Sequence, residues 1–110
     1  MINISIFKNA DGIYTGFRSS GHAGFDDKGK DIVCAAVSVL VINTINSIEA
    51  LTSDKFDLNV DEENGFIEFR ILTQISKESI LLLKSFILGI QGIVKDYGHD
   101  YIRLTIEKNS

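Results

Sequence analysis

A chain of 110 residues, 45% hydrophobic and 24% charged, has the size and composition of one folded domain, because chains divide into several cores only well above this length. Its net charge of -4, from 11 Lys and Arg against 15 Asp and Glu with no basic cluster, lacks the electrostatic footprint that neutralises phosphates and so excludes direct nucleic-acid binding. One cysteine and two histidines exclude an internal disulfide framework and a multi-cysteine metal site; no metal or other cofactor is expected, and the expected compartment is the cytoplasm.

Met1-Ile2-Asn3-Ile4-Ser5-Ile6-Phe7 lacks the basic and uninterrupted apolar regions of an export signal, so none is expected. Ile2, Ile4 and Ile6 alternate with Asn3 and Ser5, the period of a half-buried strand. Asp11-Gly12 predicts a turn leading into a second strand over 13–20, which completes a hairpin. A polar, glycine-punctuated loop over 22–30 then leads to Asp31, predicted as the N-cap of an apolar helix. The most apolar run of that helix, 32–42, is interrupted only by Ser38 and is shorter than the roughly 18 residues that cross a bilayer, so it predicts a buried helix and no membrane association. Strands over 56–60 and 66–72 flank Asn64-Gly65, a strong hairpin signal. Ser76, with Glu78 and Ser79, opens a second apolar helix through about residue 96. Tyr97-Gly98 closes it, His99 belongs to the following turn, and 102–106 alternate as a last strand. The expected fold is a single α+β domain over 1–110 in the order ββαββαβ, with a mainly antiparallel five-stranded sheet and two apolar helices.

At about 100° per residue, Cys34, Ser38, Val41, Ile45 and Ile48 fall in one stripe of the first helix, the predicted core face. Val33, Ala36, Val39 and Leu40 make its other faces apolar as well, and the second helix carries the same excess. Two such helices exceed what one sheet face of a small domain buries, which predicts a symmetric homodimer.

With Asp31 as the cap, Cys34 is the third helical residue, where orphan N–H groups and the positive helix end favour a thiolate and can hold an oxyanion. His22 stands twelve residues earlier, just past the predicted strand end, so a Cys/His pair is geometrically open. Each residue also has a plainer reading. Cys34 can be a small buried hydrophobe, His22 a surface loop residue, Asp31 only a cap, and Ser38 a hydroxyl bonded back to its own helix. The strand aromatics Phe7, Tyr14, Phe17, Phe66 and Phe69 read as core.

Gly21-His22-Ala23-Gly24, followed by Gly29-Lys30-Asp31-Ile32-Val33-Cys34-Ala35-Ala36-Val37-Ser38, resembles the ribosomal-processing cysteine protease Prp family. The specific match runs from about residue 19 to 41, while 25–28 fall where family members vary. The resemblance implies a dyad with Cys34 as nucleophile and His22 as general base, on a homodimeric α+β fold. Gly21, Asp31 and Ser38 are characteristic supporting positions. It also implies a substrate, the short N-terminal extension of a large-subunit ribosomal protein, removed by one cut. The acidic chain, with Asp26, Asp27 and Asp31 near the proposed site, would attract the basic tail of such a substrate. The segment from Gly24 through Phe25 to Gly29 has hinge-capable ends and is expected to gate peptide entry. A non-enzymatic dimeric interaction domain with a structural cysteine is the competing class. It requires a buried, unreactive Cys34. A redox-sensing thiol is a further alternative, which a lone cysteine could serve only through an intermolecular partner.

Overall fold

The computed structural model describes residues 1–21 and 28–108, and of residues 28–31 the backbone alone. The elements are β1 (Ile2–Lys8), β2 (Tyr14–Ser20), α1 (Lys28–Leu51), β3 (Phe56–Asp61), β4 (Phe66–Ile71), α2 (Lys77–Tyr97) and β5 (Ile102–Lys108). This is the expected ββαββαβ order. The strands form one sheet in the order β3-β4-β2-β1-β5. Every neighbouring pair is antiparallel except β1 with β5.

Alternation decides which face is which. Ile2, Ile4 and Ile6 of β1 join Phe17, Phe69, Ile71 and Ile102 in a single core with the ridges of both helices. Phe17 sits between Phe69 and Phe86, with ring centroids 5.4 and 4.4 Å away. Each such aromatic pair contributes about 0.5–1.5 kcal/mol beyond its buried area, so this stack ties α2 to the middle of the sheet. Phe7 points to the opposite face and is nonetheless fully buried, because the Arg70 guanidinium lies 3.8 Å from its ring centroid. Beside it Arg18 bonds Glu107 at 2.6 Å, so a layer of paired charges covers the helix-free face.

Two features of α1 differ from the sequence-based expectation. The helix begins at Lys28, so Asp31 is its fourth residue and not its cap, and Gly29 is helical and not a loop hinge. An acidic residue suits the first turn of a helix as well as it suits the cap, and once a ridge is seated, extension by a few residues costs little. The buried ridge is Val33, Val37, Val41, Ile45 and Ile48. It coincides with the predicted stripe in its second half and is turned by one residue in its first half. Valine buries more apolar surface than cysteine or serine, so the sheet takes Val33 and Val37 and leaves Cys34 and Ser38 at the margin.

The stretch Ile32–Leu51 has a mean hydropathy of 1.8 and the length to cross a membrane, but only 33% of it is buried. The expectation of a fully buried helix therefore holds for one ridge only, and Ile32, Val39 and Ile42 are more than half exposed.

Helix α2 starts where predicted. The Ser76 hydroxyl accepts from the Ser79 N–H at 3.2 Å, while the Ser76 N–H and hydroxyl donate to the Asp54 carboxylate at 3.1 and 2.7 Å. Desolvation opposes ionisation of Asp54, but the Ser79 hydroxyl beside it and these two Ser76 bonds outweigh it and hold the carboxyl below its usual range. The Ser79 hydroxyl, wholly buried, stops short of full hydrogen-bond geometry. Asp54→Ala should lower unfolding free energy by about 1 kcal/mol at neutral pH. A depressed folded-state pKa stabilises above the unfolded value and is lost on acidification. The gap between wild type and variant in urea unfolding should therefore close as pH falls below about 4.

Candidate active site

The site forms where β2 ends. Gly21 has φ +103°, and a Cβ there would run into the carbonyl oxygen of Met1. Its N–H donates to the Gly65 carbonyl at 3.1 Å, which fastens the strand end to the turn between β3 and β4. A residue at this position must adopt positive φ and also allow backbone contact, and only glycine does both. The turn is itself organised. The Asp61 carboxylate accepts from the Asn64 side-chain amide at 2.6 Å and from the Asn64 N–H at 3.2 Å, and these bonds hold its carboxyl below the usual range. The Gly65 N–H closes the turn on the Glu62 carbonyl at 3.2 Å.

Between this turn, the end of β2 and the first half of α1 lies a cleft of about 240 Å³. From α1 it takes Cys34, Val37, Ser38, Val41 and Ile42; from β2 it takes Ser19, and Gly21 just beyond the strand end joins it. The facing wall is Val60, Glu62, Gly65, Phe66 and Ile67. Pockets for drug-sized ligands run from roughly 300 to 1,000 Å³, so this cleft fits one or two side chains of a longer ligand. Its walls are mostly apolar, which suits a large aliphatic or aromatic side chain.

Cys34 is half-buried and lines the cleft, the partial exposure that a nucleophilic thiol requires. Ser38, one turn on, is exposed and lines the same cleft. Counting from Lys28, Cys34 is the seventh residue of α1 and not the third. Its own N–H therefore lies beyond the orphan groups of the first turn, and the helix field falls off within that turn. The expected oxyanion site at those first-turn groups is accordingly more than a full turn from Cys34.

Of the other predicted site residues, Gly21 lies in the cleft wall as described, and Asp31 is placed as helical backbone only. His22, Gly24 and Phe25 lie outside the described residues, as do Asp26 and Asp27. His99 is exposed in the turn before β5 and lines a different cavity with Arg103, so it takes no part in this cleft. Among the described residues no group of three or more His, Cys, Asp or Glu is placed to hold a metal. The facing wall escaped sequence reasoning altogether. Its one legible signal is Asn64-Gly65, which marks the turn but not its neighbour across the sheet.

The family model for cysteine protease Prp matches residues 1–103. The chain belongs to the cysteine protease Prp family. The ribosomal processing cysteine protease Prp of Staphylococcus aureus is 34% identical over 104 residues, covering 94% of this chain and 97% of that protein. The Bacillus subtilis protein of the same name is 29% identical over 109 residues, covering 96% of each. The crystal structure of S. aureus Prp with a substrate peptide superposes with a TM-score of 0.89 at 32% identity, over 97% of this chain and 100% of that one. A second S. aureus Prp structure, with a covalently linked product peptide, gives a TM-score of 0.86 at 33% identity over the same shares.

Gly21→Ala tests the pinned strand end of this Prp family member. It should lower stability by about 2–4 kcal/mol in urea unfolding, through left-handed strain plus the backbone collision. Gly12→Ala carries the strain alone, because at φ +78° its Cβ would meet nothing closer than Lys8 Cε at 3.8 Å. It should cost about 1 kcal/mol.

Proposed function

We propose that this chain is a cysteine endopeptidase that removes the short N-terminal extension of a large-subunit ribosomal protein, with Cys34 as nucleophile and His22 as general base and acid. The observation that carries this reading is that Cys34 and Gly21, the residue bonded directly to His22, line one partly open cleft. A structural cysteine in an interaction domain would be buried; Cys34 is half-exposed at the mouth of a cleft of side-chain size. The substrate is supported by the relatives named ribosomal processing proteases and by their peptide-bound structures.

In the proposed reaction the His22 imidazole takes the Cys34 thiol proton, and the sulfur attacks the scissile carbonyl carbon. The tetrahedral adduct collapses as the imidazolium gives its proton to the leaving amine, which departs with the C-terminal product and leaves a thioester on Cys34. His22 then takes a proton from water as the water attacks the thioester. Its breakdown returns that proton to sulfur and releases the N-terminal peptide as a carboxylic acid. Because Cys34 lies beyond the first helical turn, activation of the thiol falls mainly to His22 in this scheme. No metal or cofactor enters it.

Intact-mass spectrometry of a cognate ribosomal protein bearing its extension should show one shorter product with the native enzyme and none with Cys34→Ala. His22→Ala should cut turnover by at least about a thousandfold. Cys34→Ala should unfold at the same urea concentration as wild type within about 0.5 kcal/mol, since alanine suits a helix and the site is only half-buried.

The active form is proposed to be a cytoplasmic homodimer. Val39 of α1 and Leu81 and Leu88 of α2 are exposed at 66, 68 and 70%, and a second copy packed on the helices would cover them. Light scattering at micromolar concentration should give twice the chain mass.

A further inference from the structure

Apart from Cys34, the described lining of the cleft carries a single ionisable group, Glu62. Its neighbours there include Val60, Phe66, Ile67 and Ile42, so the exposed Glu62 borders an otherwise apolar lining. The backbone of Glu62 is held, because its carbonyl accepts the Gly65 N–H inside a turn braced by Asp61 and Asn64. Among the described residues the three salt bridges join Arg18, Arg70, Glu68 and Glu107, and none engages Glu62. Among the described residues, therefore, Glu62 stands as a carboxylate without an ion-pair partner, carried on a held backbone at the rim of the cleft that holds the thiol.

We propose that Glu62 is a specificity-determining residue that pairs with a lysine or arginine side chain of the bound peptide. The inference rests on the peptidase reading and adds one charge requirement to it. Glu62 selects the peptide without touching the reacting atoms, so its contribution falls on KM and not on kcat. The net charge of -4 acts in the same direction over longer range, whereas Glu62, at one place in the cleft wall, confers preference at one peptide position.

The test is a positional scan in which one lysine is moved through a cleavable decapeptide, run against the same scan with norleucine and with glutamate. Native enzyme should prefer lysine over norleucine at one position by roughly three- to tenfold in kcat/KM, carried by KM. Glu62→Gln should erase that preference at that position alone, and Glu62→Lys should transfer it to glutamate. Preferences that survive Glu62→Gln, or a uniform loss on every peptide, would overturn the assignment. Fluorescence anisotropy of the same labelled peptides on Cys34→Ala, with and without Glu62→Gln, separates the two claims. If nothing is cut but binding shows the Glu62-dependent lysine preference, the peptidase reading fails and the recognition site stands. If nothing is cut and binding shows no such preference, both fail.

Discussion

The seating of Val33, Val37 and Val41 against the sheet is the constraint on which the site depends. A helix has one rotational freedom about its axis, and burying this ridge removes it. Cys34 and Ser38 each follow a ridge residue by one position, about 100° around the axis, so both are carried to the margin that faces the second hairpin. The thiol's position is thus set by the packing of its neighbours. A substitution that weakened the ridge would disturb the site before it unfolded the domain, because the cleft has no covalent staple and only one helix supplies its floor.

The opposite wall depends on strand order. Residues 60–67 lie far from Cys34 in sequence, and they reach it because β4 pairs with β2 in the register Ser20↔Phe66. That register brings the start of β4 level with the end of β2, where the Gly21 N–H meets the Gly65 carbonyl. One backbone hydrogen bond across two glycines therefore joins the strand end that precedes His22 to the turn that carries Glu62. Both residues have positive φ, +103° and +60°, so side chains at these positions would strain the junction that shapes the cleft.

Much of the fold was legible because period-2 alternation in β1 and β5 and the Asp11-Gly12 and Asn64-Gly65 turns are local signals. Cys34 stood out as a lone thiol in an apolar sequence, and Gly21 entered through the motif that carries the family resemblance; both line the cleft. Three features were not legible. The start of α1 was misplaced because Asp31 satisfies both a cap and a first turn. The core stripe was turned by one residue in its front half because valine, cysteine, alanine and leucine surround the axis, leaving no polar face to set the phase. Phe7 read as ordinary core, and its actual cover, Arg70 and Arg18 on the helix-free face, comes from strands that only the sheet register brings together. Local chemistry writes local structure into the sequence, whereas the far wall of the cleft is a product of topology.

The composition of α1 follows from having three separate duties on three faces. Val33, Val37 and Val41 fill the core, Cys34, Ser38 and Ile42 border the cleft, and Ile32 and Val39 face outward where a second copy is proposed to cover them. A helix apolar on every side usually signals a membrane span or the centre of a large protein. Here the same pattern arises from a small domain that uses one helix as floor, wall and proposed interface. Cysteine fits that arrangement without conflict, because it behaves as a small hydrophobe toward the helix and the core while its half-buried side chain lines the cleft. The helix margin therefore carries the thiol of Cys34 and, one turn on, the exposed hydroxyl of Ser38 without drawing either into the core.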